Sequence, residues 1–199
     1  MFSRIPPEEW NPMDNILYIQ NRKDFRLWLS EHHAAEQECY AAVKRGKPTD
    51  DAHLWYLDAI EEALCFGWID STVRKTEGGT LQRFSPRRKG GNWTELNKER
   101  VRRLEKLGLM TDSGRAVLPK EQESFKMDAE IEAELKAARV WSRFRALPPL
   151  YQRVRASNLV FYRQRSPEAY RKMLAHTIET AKKGETFGEW NDYGRLLDY

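Results

Sequence analysis

A short basic stretch of the chain carries the side chains best suited to holding an anion. Guanidinium groups bind phosphate and carboxylate through paired N–H donors, and a tryptophan ring offers a stacking face for a base or a sugar. A helix that begins at Thr94 would add free backbone N–H groups near the same loop. The pattern predicts an anion or substrate site formed by Asp70, Arg83, Arg87, Arg88, Trp93 and Asn97.

Asp70 is the one acidic member of this predicted site. It follows the apolar stretch that ends in Trp68 and Ile69, where it could act as a base or orient an arginine. A second carboxylate at a spacing that suits acid and base catalysis is lacking, and no histidine is near in sequence, so we predict no catalytic residue. In the alternative interpretation, Asp70 pairs with one arginine and holds a hairpin to a helix, while Arg87 and Arg88 lie in a solvated loop.

The charge distribution along the chain indicates the kind of partner that the protein binds. Between Asp70 and Lys106 there are eleven Lys or Arg against five Asp or Glu, whereas the whole chain has a net charge of +4. A basic stretch of this kind indicates an anionic partner. We therefore predict a protein that binds a small anionic ligand. Two alternatives stay open, a nucleic-acid-binding protein that uses the same stretch and an enzyme on a small anionic metabolite with Asp70 as base and the arginines as clamp.

Other sites are not indicated by the sequence. The four histidines are scattered, and neither metal-ligand spacings nor phosphate-loop motifs nor a serine-nucleophile motif occur, so we predict no metal and no cofactor. Cys39 and Cys65 are too few for a disulfide scaffold and are predicted to be reduced packing residues. No apolar run is long enough to cross a membrane and the N-terminus lacks a signal-like apolar segment, which predicts a cytoplasmic protein without membrane insertion.

The first half of the chain must supply the elements that position the site. We expect a strand at 15–19, a helix capped by Asn21 or Asp24, a strand at 39–44 and a helix from about 50 to 66. In the second helix Leu57, Ile60 and Leu64 share one face, and Glu61 and Glu62 are predicted to lie away from it. Gly67 is predicted to end that helix in a left-handed conformation.

A hairpin should follow, with strands at 68–73 and 80–84 joined by a turn at 77–79. Thr94 then caps a helix that ends at Gly108, and a short helix precedes Pro119. From about residue 120 only helical patterns occur, with a start at Ser166 and Pro167 and an end at Gly184. The apolar tail at 187–199 is predicted to dock.

Together these patterns predict an α+β fold, in which a small, mostly antiparallel sheet packs with helices and a helical C-terminal region follows. We expect an α+β core at 1–119 and a helical region at 120–199 packed on it. Tryptophans on helix faces are usually core residues, but some could line a groove between these two parts, which is a second-choice site. The tryptophans concerned are Trp28, Trp55, Trp141 and Trp190.

Four blocks in one order resemble the YdeI/OmpD-associated family, whose members are also called bacteriocin-protection proteins. The blocks are residues 62–70, 83–88, 93–97 and 108–111, with further similarity at 25–29 and 44–48 and a looser match after Pro119. The resemblance implies a bacterial origin, an α+β core and an association with resistance to bacteriocins or cationic peptides. It implies no established reaction.

Overall fold

The computed structural model describes residues 15–76, 79–119 and 125–199 of the chain. These residues form two compact units. The first unit comprises the described residues up to Gly91 together with Val101–Leu118, and the second comprises Asn92–Arg100 and the described residues from Pro119 to Tyr199. Among the described residues, no helix is both long enough and apolar enough to cross a membrane.

A four-stranded sheet forms the framework of the first unit. The strands are β1 (Ile16–Leu17), β2 (Cys39–Ala42), β3 (Trp68–Thr76) and β4 (Gly79–Pro86), in the spatial order β1-β2-β4-β3. The β1–β2 pair is parallel, whereas β2–β4 and β3–β4 are antiparallel. The predicted small, mostly antiparallel sheet is therefore confirmed, although residues 77 and 78 of the predicted turn lie outside the described residues.

Helices accompany this sheet along the chain, and their caps follow local sequence rules. They are α1 (Arg22–His32), α2 (Tyr56–Cys65), α3 (Glu95–Lys106) and α4 (Asp112–Ala116). The Asn21 side chain accepts a hydrogen bond from the Asp24 backbone at 3.1 Å, which confirms Asn21 as the α1 cap. Thr94 likewise accepts from the Asn97 backbone at 3.2 Å, so the predicted start of α3 is confirmed as well.

Aromatic side chains fill the core of the first unit between α1 and the sheet. The rings of Phe25 and Phe84 lie 5.1 Å apart, and those of Trp28 and Trp68 meet edge to face at 5.7 Å. Cys39 and Cys65 are buried free thiols in the same core, as the sequence predicts.

The second helix begins later than the sequence pattern predicts. The prediction placed its start near Asp50, but α2 begins at Tyr56. Trp55, the residue before α2, is held in an extended conformation at a bridge to Lys44, because the Lys44 N–H donates to Leu54 O and the Tyr56 N–H donates to Lys44 O, both at 2.9 Å. Asp50 instead accepts a hydrogen bond from the Ala52 backbone at 3.0 Å in a turn. A bridge to a distant segment thus overrides the local helical pattern.

The prediction that Glu61 and Glu62 lie away from the buried face of α2 is wrong. Their exposed fractions are 0% and 1%. The helix is covered on this side too, and arginines from α1 and α3 neutralise the carboxylates there. Apolar periodicity alone does not reveal this second buried face, because charged residues are buried only where partners meet them.

The described part of the second unit contains the first residues of α3 and further helices, but no strand. The further helices are α5 (Ala129–Ala137), α6 (Trp141–Arg145), α7 (Pro149–Arg165) and α8 (Pro167–Lys183). Ser166 caps α8 with Pro167 at its first position, as predicted. Trp190 and Leu196 of the tail are buried in the core of this unit, so the predicted docking of the tail is confirmed. The observed α+β class and helical C-terminal region match the sequence prediction.

Candidate functional site

The structure brings Asp70 and Arg87, two of the six predicted site residues, together in the first unit. The Arg87 N–H donates to Gly67 O at 2.8 Å, which continues the β3–β4 ladder one residue past Pro86. This bond anchors Arg87 beside the junction between α2 and β3. Burial lowers the pKa of the half-buried Arg87 guanidinium to about 10, and the negative charge of Asp70 partly opposes that shift.

Asp70 is oriented by a tyrosine at the start of α2. The Tyr56 hydroxyl donates to Asp70 Oδ2 at 2.7 Å. In the sheet Asp70 pairs with Phe84, and the register between β3 and β4 shifts after it, between Asp70 and Val73. Such irregularities re-aim side chains at the edge of a sheet. Asp70 therefore has a fixed donor at one oxygen and a cationic neighbour.

Arg45 completes the cluster, and its role was missed in the sequence. Its guanidinium lies 3.8 Å from the centre of the Tyr56 ring, and its Nη2 donates to Gln82 Oε1 at 2.8 Å. Gln82 is itself buried and donates to the Ser71 and Thr72 carbonyls at 3.3 Å. We call the set Arg45, Tyr56, Asp70 and Arg87 the Tyr56 site. The sequence gives only a weak signal for this site, because Arg45 and Tyr56 come near Asp70 only once the strands have paired.

Arg83 points away from this site. Its Nε donates to Glu38 Oε2 at 2.6 Å and its Nη1 donates to Ser71 Oγ at 2.9 Å. Asp70 lies opposite Phe84, and adjacent residues of a strand face opposite sides of the sheet, so Arg83 and Asp70 lie on different faces. Arg88, the third arginine of the stretch, is exposed.

Trp93 and Asn97 belong to the second unit. Trp93 is buried, and the Asn97 side-chain oxygen accepts a hydrogen bond from Arg100 Nη1 at 2.8 Å. Arg100 in turn binds Asp192 with two hydrogen bonds of 2.6 and 2.8 Å. Within this unit Asn97 therefore positions a buried ion pair.

A buried ionic network on α2 was also missed by the sequence patterns. Arg22 contacts Asp58 at 3.1 Å, Glu61 at 2.9 Å and Glu62 at 2.5 Å. Two further arginines complete it, since Arg26 binds Glu62 at 2.6 Å and Arg103 binds Glu61 at 2.8 Å. Arginines four residues apart on one helix, with carboxylates three and four apart on another, are the signal that could have found it.

Thiol and metal chemistry find no support in the described residues. Burial raises the pKa of the Cys65 thiol to about 12, with the nearby Glu62 charge adding to the effect. Burial likewise raises the pKa of Cys39. A thiol is a nucleophile only when it ionises, so both cysteines act as apolar core residues. No group of three His, Cys, Asp or Glu side chains in the described ranges is arranged to hold a metal ion.

Comparison with known proteins identifies a family whose function is unknown. The family model described as "Domain of unknown function (DUF8412)" matches residues 17–117, just over half of the chain, and this range includes all four residues of the Tyr56 site. No curated protein and no solved structure matches the chain significantly. The chain belongs to the family of the domain of unknown function DUF8412.

Proposed function

We propose that the protein binds a small anion, a phosphate or a carboxylate, at the Tyr56 site. The observation that carries the proposal is the Arg45 guanidinium over the Tyr56 ring, whose hydroxyl donates to Asp70, with the Arg87 guanidinium interacting electrostatically with the same carboxylate. The four residues include two guanidinium groups and one carboxylate, so they carry a net positive charge. A bound anion would compensate that excess charge.

The roles within the site follow from the contacts. Arg87 and Arg45 supply N–H donors for the anion, since guanidinium groups match the oxygens of phosphate and carboxylate. The Tyr56 ring supports the Arg45 guanidinium at 3.8 Å. Asp70 accepts from Tyr56 and acts as a positioning residue for Arg87.

Thermal-shift and calorimetric titrations with inorganic phosphate and with acetate test the proposal, with chloride at matched ionic strength as the reference. A ligand at 100 times its Kd stabilises the folded protein by about 2.7 kcal/mol. We expect Arg87→Met to abolish the response, Arg45→Met to weaken it, and Arg171→Met, a change at an exposed arginine of α8, to leave it intact.

Two outcomes would overturn this proposal. One is the absence of any response to phosphate or acetate beyond that to chloride. The other is an Arg87→Met protein that folds normally and responds as the unmodified protein does.

The biological role that we propose follows the resemblance to YdeI/OmpD-associated proteins. In this proposal the protein is a bacterial cytoplasmic protein, and anion binding contributes to protection against bacteriocins or cationic peptides. Cells that express the Arg87→Met protein in place of the unmodified one should then lose survival in a cationic peptide. Equal survival of the two strains would show that anion binding does not contribute to this protection.

The nucleic-acid alternative is less well supported by the ion pairs. Arg83, Arg100 and Arg103 have carboxylate partners, at Glu38, Asp192 and Glu61. Arginines that bind phosphates release counterions, so a nucleic-acid complex weakens steeply with salt. We would favour this alternative over a small ligand if the protein bound RNA or DNA at low salt and lost that binding steadily as salt was added.

A further inference from the structure

A half-open pocket of about 770 Å³ lies within the second unit along one side of α7. Eight residues of α7 line it, and five of them share one helical spacing, namely Ser157, Val160, Phe161, Gln164 and Arg165. Steps of three, one, three and one residues place these side chains on one stripe of the helix. The pocket therefore has a continuous helical wall.

The opposite face of α7 is already used by the core. Leu159 lies there and is fully buried. Val160 and Phe161 on the pocket stripe are only half-buried, although they are apolar. A helix that is apolar on two faces buries one against its own unit and leaves the other available to a partner or ligand.

Part of the facing walls is apolar and adaptable. Phe125 and Met127 precede α5, and Met173 comes from α8. Methionine side chains adjust to ligands of different shape, and their sulfur atoms contact aromatic rings favourably. The volume lies within the roughly 300–1,000 Å³ typical of small-molecule sites.

The acidic residues of the pocket are neutralised by their own unit. Asp128 accepts two hydrogen bonds of 2.9 Å from Arg163. Glu95 accepts a hydrogen bond from Lys98 at 2.8 Å, and Arg153 lies 3.6 Å from its second oxygen. Neither carboxylate adds a free negative charge to the pocket.

Within the described residues, the basic residues of the pocket are not neutralised in this way. Among residues 15–76, 79–119 and 125–199, no carboxylate lies within 4 Å of the side-chain nitrogens of Lys126 or Arg165, both of which line the pocket. The Arg165 guanidinium instead lies 4.1 Å from the centre of the Phe161 ring. An aromatic floor and two cations thus occur at one concave surface.

We propose that this pocket binds an organic anion with a flat apolar body, such as an aromatic carboxylate or sulfonate. The apolar body packs against Phe161, Val160 and Met173, while Lys126 and Arg165 bind the acidic group. This site shares no residue with the Tyr56 site and does not depend on the proposed function.

Fluorescence titration with 1-anilinonaphthalene-8-sulfonate, an aromatic sulfonate, tests the proposal, with neutral N-phenyl-1-naphthylamine as the comparison probe. We expect saturable binding of one sulfonate per chain. Arg165→Glu and Lys126→Glu should each weaken sulfonate binding about tenfold or more, because an attraction becomes a repulsion. The same variants should leave binding of the neutral probe nearly unchanged.

Two further variants fix the location of binding. Lys172→Glu makes the same charge change on the exposed surface of α8 and should leave both probes unaffected. Ser157→Trp fills the pocket and should block both probes, and Gln164→Trp serves the same purpose if Ser157→Trp does not fold, as judged by circular dichroism.

Three results would overturn the proposal. These are no saturable sulfonate binding, sulfonate binding that persists in a folded pocket-filling variant, or equal weakening of sulfonate binding by Lys172→Glu and Arg165→Glu. The first two would remove the pocket as the site, and the third would remove the role of its cations.

Discussion

Two arginines, Arg22 of the first unit and Arg155 of the second, are stabilised in opposite ways. In the first unit Arg22 touches three carboxylates, at Asp58, Glu61 and Glu62. In the second unit Arg155 is 5% exposed, yet among the described residues no carboxylate lies within 4 Å of it. Its Nη2 donates to Phe187 O at 2.6 Å, and its guanidinium lies 3.7 Å from the centre of the Phe187 ring.

The difference shows that burial alone does not set the energetic role of an arginine. In the first unit the arginines are needed because they neutralise carboxylates that would otherwise be buried as unpaired charges. At Arg155 the cation is held by an aromatic ring and a carbonyl instead, and burial lowers the pKa of its guanidinium. Removing the charge should therefore have a large effect on stability at Arg22 and a small effect at Arg155.

The largest effect is expected for Glu61→Gln. This change keeps the shape of the side chain but leaves Arg22 and Arg103 without their shared carboxylate. Breaking a buried charge pair costs about 3–5 kcal/mol. Urea denaturation followed by circular dichroism measures the loss of folding stability. Glu179→Gln on the exposed surface of α8 is the control. A loss of stability no larger than that of the control would contradict the role of the network.

A second contrast concerns two glycines that end helices in the left-handed region, Gly67 at φ +75° and Gly184 at φ +72°. An alanine Cβ at Gly67 would lie 2.7 Å from Ser113 O, whereas at Gly184 it meets open space. Gly184→Ala should cost about 1–2 kcal/mol of left-handed strain, and Gly67→Ala about 1–3 kcal/mol more from the added crowding. Thermal unfolding of both variants measures the difference between their losses of stability. Equal destabilisation would show that the α4 backbone moves to make room for the methyl group at Gly67.

Arg155→Met sharpens the comparison of buried charge. The change loses the hydrogen bond to Phe187 O but also removes the desolvation of a buried cation. Because these effects oppose one another, we expect a net change below about 1.5 kcal/mol. Arg22→Met should destabilise several times more, since three buried carboxylates lose the arginine that they share. Equilibrium denaturation of the two variants compares them, and a larger loss for Arg155→Met would reverse our interpretation.

The smallest expected effect is a pH dependence from Asp128 in the second unit. Hydrogen bonds from Arg163 hold the pKa of Asp128 below its ordinary value. A lowered pKa in the folded state means that the stabilisation is present above the ordinary aspartate pKa of about 4 and is lost as the pH falls through the folded-state value. Because the pair is largely solvated, we expect less than about 1 kcal/mol.

Denaturation midpoints of the unmodified protein and of Asp128→Asn between pH 7 and pH 2 would measure this effect. The difference between them should shrink as the pH falls. A difference that stays constant with pH would assign the effect to the capping hydrogen bonds of Asp128, which an asparagine can also accept.

The candidate site was predicted only in part. The sequence pointed to Asp70 and Arg87, because a lone carboxylate and a basic loop flank one predicted hairpin. It missed Arg45 and Tyr56, since these reach Asp70 through the β2–β4 pairing and the start of α2. It also grouped Arg83 with Asp70, although the alternation of side chains along β4 places Arg83 on the other face.

The sequence by itself determined the helix caps and ends, such as Asn21, Thr94 and Ser166, and the order of strands and helices. These depend on residues within one turn of each other, so local propensity is sufficient. Only the tertiary structure decided that Glu61 and Glu62 are buried, that α2 begins at Tyr56, and that Gly67 is crowded where Gly184 is free. Those outcomes depend on partners tens of residues away, and no local pattern encodes which distant side chain will meet a given charge or backbone group.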